Sequence, residues 1–116
     1  MAERLFYVYR RGGSVELGLG ITERQGGETV YIASVYLEGG RSRSDVVQYY
    51  VDHILDWISP GDTVVIVTND MTMRSKRRFK YPGFEFAVVP MRSTLYEAKM
   101  LANDSFKRKS TIMEEI

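Results

Sequence analysis

The sequence lacks cysteine, contains a single histidine, His53, and has no long apolar run. Without cysteine the chain can form no disulfide, no thiol nucleophile and no thiolate-based zinc site. One histidine likewise excludes metal sites that need several imidazole ligands. No segment approaches the roughly 18 consecutive apolar residues of a membrane-spanning helix, and the N-terminus has no signal-peptide pattern. These absences predict a cytoplasmic protein without a membrane association.

Length and charge set the next limits. A chain of 116 residues, 44% of them hydrophobic, is long enough for one core, so we expect a single domain over residues 1–116. The last stretch, about 104–116, is polar and weakly patterned, and we expect a tail there that can be mobile. The net charge is +1, so only local patches could attract nucleic acid. The basic residues cluster at Arg10–Arg11, Arg41–Arg43, Arg74–Lys80 and Lys107–Lys109.

Three segments near the N-terminus are rich in aromatic and β-branched residues and are separated by paired glycines. In the second segment Val15, Leu17, Leu19 and Ile21 alternate with other residues, which indicates a strand with one buried face. The glycine pairs suit tight turns. The pattern predicts an antiparallel meander of three strands, RLFYVYRR, SVELGLGITER and ETVYIASVYLEGG.

The following segments predict an α/β arrangement. SDVVQYYVDHILDWISPG has apolar residues at three- and four-residue steps, which is typical of a helix, and DTVVIVTND is a short apolar run suited to a central parallel strand. After MTMRSKRRFKYPG, a short helix or a loop, FEFAVVPM predicts a fifth strand. Thr94 and Glu97 form a capping box for the last helix. The expected fold is a five-stranded mixed sheet, in the order β-β-β-α-β-(α)-β-α, flanked by helices.

This order and several local strings resemble the ribonuclease H-like family over roughly Leu5 to Ala102. Gly18-Leu19-Gly20-Ile21 is similar to a glycine-x-glycine followed by aliphatic residues on the second strand of family members. VVIVTND is similar to their aliphatic run ending in threonine-aspartate. VVPMRSTLYEAKMLA resembles a string near the end of one branch, with matching positions at Val89, Pro90, Arg92, Ala98, Leu101 and Ala102.

The resemblance implies a two-metal nuclease that cuts the RNA strand of hybrid duplexes, with four carboxylates holding divalent ions about 4 Å apart. Only some of the positions that match those carboxylates are acidic in this sequence. The first strand offers Tyr9, or Arg10 if the alignment shifts, and the last helix offers Lys99. The first helix offers Asp45, and the fourth strand offers Asn69, with Asp70 one residue later.

The charge of this constellation argues against metal binding. Four carboxylates carry about −4, which two Mg²⁺ ions balance, whereas Tyr9, Asp45, Asn69 and Lys99 together carry about 0. We therefore expect a degenerate site that has lost nuclease activity and needs no cofactor. In this interpretation the Lys99 ammonium takes the place of an ion and pairs with Asp45 or Asp70.

Each of these residues also has a plainer interpretation. Asp45 suits the first turn of a helix, where it would interact with the helix dipole. Asn69-Asp70 can form a turn after a strand. Lys99 can lie on the polar face of the last helix, and His53, between acidic residues, can lie on a solvated charged face.

The remaining functional signal is a basic segment with aromatic neighbours. Cationic side chains beside aromatic rings suit phosphate contact combined with base stacking. The resemblance places this segment beside the duplex, so we expect RNA, DNA or an RNA/DNA hybrid as a partner. The expected contact residues are Arg74, Lys76, Arg77, Arg78, Phe79 and Lys80.

Two alternatives stay open. The chain could be an active ribonuclease H that uses Mg²⁺ or Mn²⁺ held by Asp45 and Asp70, joined by Glu16 or Glu38. It could instead be a structural or self-associating protein without a nucleic-acid role, since its tyrosine-rich meander and its methionines could form a homodimer surface; these methionines are Met91, Met100 and Met113. A P-loop is disfavoured, because the glycine pairs have no following glycine-lysine-serine or -threonine pattern.

Overall fold

One mixed sheet forms the centre of the molecule in the computed structural model. The structure describes residues 3–12, 16–38, 49, 52–54, 56–57, 62–69, 80–81, 84–90 and 96–115. Within these ranges the sheet has the order β5-β6-β4-β1-β2-β3-β7. The strands are β1 (Glu3–Gly12), β2 (Glu16–Gln25), β3 (Glu28–Glu38), β4 (Thr63–Thr68), β5 (Lys80–Tyr81), β6 (Phe84–Pro90) and β7 (Ile112–Glu115).

The five strands expected from the sequence are confirmed as β1 to β4 and β6. β1, β2 and β3 pair antiparallel, while β4 runs parallel to both β1 and β6. A parallel neighbour requires a long crossover connection, which the segment between β3 and β4 provides. The short strands β5 and β7 were not predicted, because two and four residues are too few to show an alternating pattern.

The core face of the sheet carries the apolar side chains that alternate along β1 to β4. On β2 the predicted core positions Leu17, Leu19 and Ile21 are buried, at most 2% exposed, but the expectation of a single buried face is wrong, because the opposite face of β2 is buried as well. Residues from the segment between β3 and β4 cover this face; Ile54 is fully buried there, and Trp57 packs against the same cluster. Tyr49, Asp52–Ile54, Asp56 and Trp57 are helical, as expected, whereas Asp45 lies outside the described residues.

The C-terminal helix, Tyr96–Arg108, covers the opposite face, which we call the helix face. It contacts β2 most closely, because Gly18 and Gly20 of β2 have no side chains there. A Cβ at Gly20 would lie 1.8 Å from the carbonyl oxygen of Ala98, and one at Gly18 would lie 2.2 Å from that of Ala102. The helix backbone can rest on this strand only where glycine is present.

The helix continues beyond the stretch that the sequence predicted. It ends at Arg108, and Lys109 adopts a left-handed φ of 55° while its N–H donates to the Ser105 carbonyl at 2.7 Å. This left-handed residue stops the helix and turns the chain back toward the sheet. The chain then enters β7, which pairs antiparallel with β3 from Ser34 to Tyr31. The stretch expected to form a tail therefore contributes a helical turn and an edge strand.

Candidate functional site at the ends of β1 and β4

Asn69 joins the ends of two parallel strands through its side chain. It directly follows β4, and its Oδ1 accepts the backbone N–H of Arg10 at 2.7 Å. Its Nδ2 donates to the backbone carbonyl of Arg10 at 3.0 Å. The amide thereby satisfies both backbone groups of one β1 residue, much as a further residue of β4 would. We call this arrangement the Asn69 clip.

Tyr9 and Lys99 belong to the same part of the helix face. Tyr9 on β1 is the register partner of Gly20 on β2, and Gly20 lies directly beneath Ala98, the residue before Lys99. Tyr9 is half-buried, whereas Lys99 is exposed. The exposure of Lys99 fits the polar-face interpretation better than that of a buried ammonium. Its pairing with Asp45 or Asp70 stays a prediction, because both acids lie outside the described residues.

The predicted basic contact surface also lies largely outside the described residues. Of its members, Arg74, Lys76, Arg77, Arg78 and Phe79 are not described, and Lys80 is described only as the first residue of β5. The strands on either side are fixed: β4 ends at Thr68 in the centre of the sheet, and β5 pairs with β6 at its edge. The structure thus leaves the role of this segment as a prediction.

Comparison with known proteins identifies the architecture. No protein-family model and no curated protein matches the sequence. Among solved structures, LC11-RNase H1, isolated from compost by a metagenomic approach, superposes with a TM-score of 0.57. The match covers 94% of this chain and 99% of that chain, at 15% sequence identity. The chain has a ribonuclease H-like fold. At this level of identity the similarity establishes the fold alone.

The ribonuclease H-like fold raises the question of whether the described residues could hold two divalent ions. Asn69 brings no negative charge, and its oxygen already accepts the Arg10 N–H. Tyr9 and Lys99 offer no carboxylate either. Across the described ranges, no three histidine or acidic residues converge as a metal site would require. The described residues do not fit a two-metal centre.

The acids named for an active enzyme, Glu16 and Glu38, lie elsewhere on the sheet. They are register partners on β2 and β3, so β1 separates them from β4 and the Asn69 clip. Glu16 already accepts hydrogen bonds from Lys109 Nζ at 2.8 Å and from the Tyr36 hydroxyl at 2.5 Å. These bonds lower the pKa of Glu16, with the Lys109 bond the larger cause. Glu16 therefore links β2 to β3 and to Lys109, the residue after the C-terminal helix, at the surface.

A buried charge network lies at the opposite end of β1. Glu23 is fully buried, and its two oxygens accept bonds from Arg4, with Nη2 at 2.7 Å. Trp57 Nε1 and Gln25 Nε2 donate to the same carboxylate at 3.0 and 3.1 Å. Burial raises the pKa of Glu23, but the bonds from Arg4, Gln25 and Trp57 outweigh it and the pKa is lowered. A carboxylate with every oxygen engaged is structural.

Sequence reasoning missed this network, although the pattern contained a signal for it. Glu23 continues the buried alternation of Leu17, Leu19 and Ile21, and a charge on a buried face requires a partner. Arg4 supplies that partner across the β1–β2 pair, and it also donates to Asp62 at 3.3 Å. The network therefore ties β1, β2 and the residue before β4 together.

The position of His53 corrects the expectation of a solvated charged face. It is half-buried, and its Nε2 is hydrogen-bonded to the hydroxyl of the buried Tyr31. Trp57, one helical turn later, stacks on Tyr31 with the ring centroids 4.2 Å apart. Burial lowers the pKa of His53, and burial raises the pKa of Tyr31 to about 12. The spacing of His53 and Trp57 already placed both on one helix face.

Membrane insertion through a helix finds no support in the described part of the chain, since none of its helices is long and apolar enough to cross a bilayer.

Proposed function

We propose that this chain is a ribonuclease H-like domain that has lost two-metal nuclease activity and binds nucleic acid in the cytoplasm. The observation that carries the loss of activity is the Asn69 clip. Asn69 stands where the family resemblance expects a metal-binding aspartate, and both polar atoms of its side chain bond the backbone of Arg10. The residue at this position thus supports the sheet instead of an ion.

The chemistry of the clip explains why an aspartate is replaced. A carboxylate at this position could accept the Arg10 N–H, but it could not donate to the Arg10 carbonyl. Two oxygens would then face each other at about the 3.0 Å that now separates Nδ2 from that carbonyl. The clip and a metal-binding carboxylate are therefore mutually exclusive uses of the position.

A cleavage assay on an RNA/DNA hybrid tests the loss of activity. With Mg²⁺ or Mn²⁺ in excess, we expect no cleavage above that of a matched preparation in which Asp45→Asn and Asp70→Asn are combined. This control removes the two acids that could still bind metal and detects a contaminating nuclease. Metal-dependent cleavage by the natural chain that is absent from the double variant would overturn the proposal.

Support for nucleic-acid binding comes from the basic segment between β4 and β5. Five cationic side chains occur between Arg74 and Lys80, with Phe79 among them. Such a segment would contact phosphates mainly through charge. Binding should therefore weaken steeply as the salt concentration rises, because the release of counterions from the nucleic acid then contributes less free energy. The segment follows β4 directly after Asn69-Asp70, in the region where the resemblance expects the duplex.

Fluorescence anisotropy with labelled single-stranded RNA, duplex DNA and a hybrid tests this binding. We expect the combined Arg77→Ala and Arg78→Ala variant to lose on the order of tenfold in affinity and to show a shallower salt dependence. The matched control is Arg41→Ala with Arg43→Ala, which removes the same charge from another basic cluster. Affinity that ignored salt, or fell equally in both variants, would argue against the assignment.

A further inference from the structure

Two basic clusters that are far apart in the sequence meet at the end of the C-terminal helix. Arg11 belongs to the first cluster, on β1, and Lys109 belongs to the last one. Phe106 lies between them, with the Arg11 guanidinium carbon 4.8 Å and the Lys109 Nζ 5.3 Å from the centroid of its ring. Lys109 Nζ is also 5.3 Å from the ring centroid of Tyr36 on β3. We call these four side chains the helix-end patch.

The contact between β1 and the helix holds Arg11 in a defined position. Gly12, the last residue of β1, has a φ of 104°, and a Cβ there would lie 3.2 Å from Cε2 of Phe106. The ring can therefore rest against the end of the strand. Asn103, one helical turn earlier, accepts a hydrogen bond from Arg11 Nη1 at 3.1 Å. An amide oxygen and an aromatic face thus fix the guanidinium without cancelling its charge.

Positive charge is in excess around this patch. Lys109 pairs with Glu16 at 2.8 Å, but Arg11 has a neutral acceptor. Lys107 and Arg108 are exposed in the last helical turn, and the acceptors of Arg108 are serine oxygens. Within the described part of the chain, no carboxylate forms an ion pair with these three residues.

The helix dipole explains only part of this arrangement. Cations in the last turn interact favourably with the partial negative charge at the helix C-terminus, which suffices for Lys107 and Arg108. It does not account for Arg11, which comes from β1, or for the two rings that hold cations. The exposed Asp104 on the same helix lowers the excess of positive charge but does not cancel it. The patch therefore remains suited to an anion.

The patch lies at the same end of the sheet as the Asn69 clip. Arg10, whose backbone Asn69 bonds, directly precedes Arg11. The chain that follows β4 leaves the sheet at this end and leads into the basic segment between Arg74 and Lys80. A long polyanion held by that segment would therefore have a second fixed group of cations on the sheet itself.

We propose that the helix-end patch is a second nucleic-acid contact, which binds backbone phosphates of the strand. A guanidinium recognises phosphate oxygens through two parallel hydrogen bonds, and its charge here is not neutralised. Because cations lie over the rings, the rings order these cations, and we expect contact with phosphates and not stacking with bases. The contact should then be independent of sequence. It rests on the nucleic-acid binding proposed above.

Fluorescence anisotropy with single-stranded RNA tests the patch. We expect Arg11→Ala to weaken binding about fivefold to tenfold and to reduce the slope of log affinity against log salt by about 1. Arg24→Ala is the matched control: Arg24 is also half-buried and donates to neutral acceptors, but it lies at the other end of β2. It should keep the natural affinity. An Arg11→Ala variant with natural affinity, or equal losses in both variants, would overturn the proposal.

Two variants that keep the net charge separate a built contact from general attraction. Phe106→Leu removes the ring that holds the two cations, and Arg11→Lys removes the two parallel hydrogen bonds. Each should weaken binding about twofold to fivefold. Thermal unfolding identifies which of the two variants is folded. Natural affinity in a folded variant would show that charge alone matters and would overturn the patch.

The variant that combines Arg77→Ala and Arg78→Ala distinguishes this contact from the basic segment. Adding Arg11→Ala to it should weaken binding further, by the same factor as in the natural chain. A loss in the double variant without any loss in Arg11→Ala would leave the proposed function intact and remove the patch. A natural chain that binds no nucleic acid would overturn both.

Competition identifies the class of polyanion. In the Arg77→Ala and Arg78→Ala background, polyglutamate should displace labelled RNA at least about tenfold less effectively than unlabelled RNA of equal charge, because the guanidinium is matched to phosphate. Equal competition would indicate a surface for acidic polypeptides and would overturn the assignment to nucleic acid.

Discussion

Asn69 shows how a single amide side chain can hold the ends of two parallel strands together. An amide has a donor and an acceptor, so it can bond both the N–H and the carbonyl of Arg10. An aspartate offers acceptors only. The difference between these two residue types is a single donor, and it decides whether the ends of β1 and β4 are held by the side chain.

Asn69→Asp should destabilise the fold near neutral pH by about 1–3 kcal/mol, because the Arg10 carbonyl loses its donor and faces a carboxylate. Below the pKa of the new carboxyl, its protonated form can donate again, so part of the loss should be recovered. Denaturant unfolding at pH 7 and pH 4 measures both effects. The control Asn103→Asp should be neutral, since Asn103 accepts from Arg11 at 3.1 Å and a carboxylate accepts equally well. Equal losses in both variants would refute the role of the clip.

Glu23 is a second residue whose environment sets its protonation. Its pKa is lowered, since the bonds from Arg4, Gln25 and Trp57 outweigh the effect of burial. The unfolded chain, with an ordinary pKa near 4.5, therefore binds a proton at higher pH than the folded chain does. The stabilisation by Glu23 is present above that value and is lost as the pH falls below it.

Glu23→Gln should lower the free energy of unfolding by about 3 kcal/mol at pH 7, because Arg4 loses its buried counter-charge. The variant should also lack the part of the acid-induced decline that Glu23 causes. Unfolding curves between pH 3 and pH 7 measure the two effects. Glu16→Gln is the matched control: its ion pair with Lys109 is exposed, and we expect almost no change. An equal change in the free energy of unfolding in Glu23→Gln and Glu16→Gln would contradict the structural role of the network.

The C-terminal helix and β2 form the closest contact between two elements of this fold. Gly18 and Gly20 let the helix backbone approach the strand, and Ala98, Ala102 and Ser105 are the buried residues on the helix side. The glycine-x-glycine of the sequence therefore serves packing, since small residues on both elements bring Tyr9 and Lys99 into one region.

Gly20→Ala should destabilise the protein by at least about 3 kcal/mol, because its Cβ would lie 1.8 Å from the Ala98 oxygen and the helix would have to move. Gly27→Ala provides the control. It meets no atom within 4 Å but has a φ of 84°, so it should cost only the backbone strain, about 1–2 kcal/mol. Thermal unfolding of both variants measures the difference. A smaller loss at Gly20 than at Gly27 would be incompatible with this packing.

At the scale of the whole molecule, the described positions that the resemblance matches to metal ligands carry neutral or cationic side chains. Tyr9, Asn69 and Lys99 lie on β1, after β4 and on the C-terminal helix. Divalent ions need several anionic oxygens to replace their hydration shell. If Asp45 and Asp70 were both directed to this region, their two negative charges and the positive charge of Lys99 would sum to about −1, since the other two side chains are neutral.

Thermal unfolding in the presence of Mg²⁺ or Mn²⁺ tests this charge balance. A site with a Kd of about 0.1 mM would stabilise the fold by ~2.7 kcal/mol at about 10 mM ion, which corresponds to a Tm increase on the order of 10 °C. We expect no increase beyond that given by Ca²⁺ or by matched ionic strength. A rise specific to Mg²⁺ or Mn²⁺, abolished by Asp45→Asn with Asp70→Asn, would contradict the proposal.

The sequence predicted the long elements well because their signals are local. The alternation of Leu17, Leu19 and Ile21 identified β2, and the continuous apolar run of β4 identified a central strand. β7 could not be predicted, because four residues become a strand only when β3 offers them an unpaired edge. The continuation of the helix to Arg108 likewise depends on contacts with the sheet and not on local propensity.

The sequence by itself determined the α/β order and the absence of thiol chemistry, because each of these follows from composition or from periodicity along the chain. It also gave the residue types at the positions that the resemblance matches to metal ligands. Only the tertiary structure decided what those residue types do. That Asn69 bonds the backbone of Arg10, that Glu23 meets Arg4 and that β7 pairs with β3 all depend on pairings between distant segments. Such pairings are set by strand register and packing, which one-dimensional patterns do not encode.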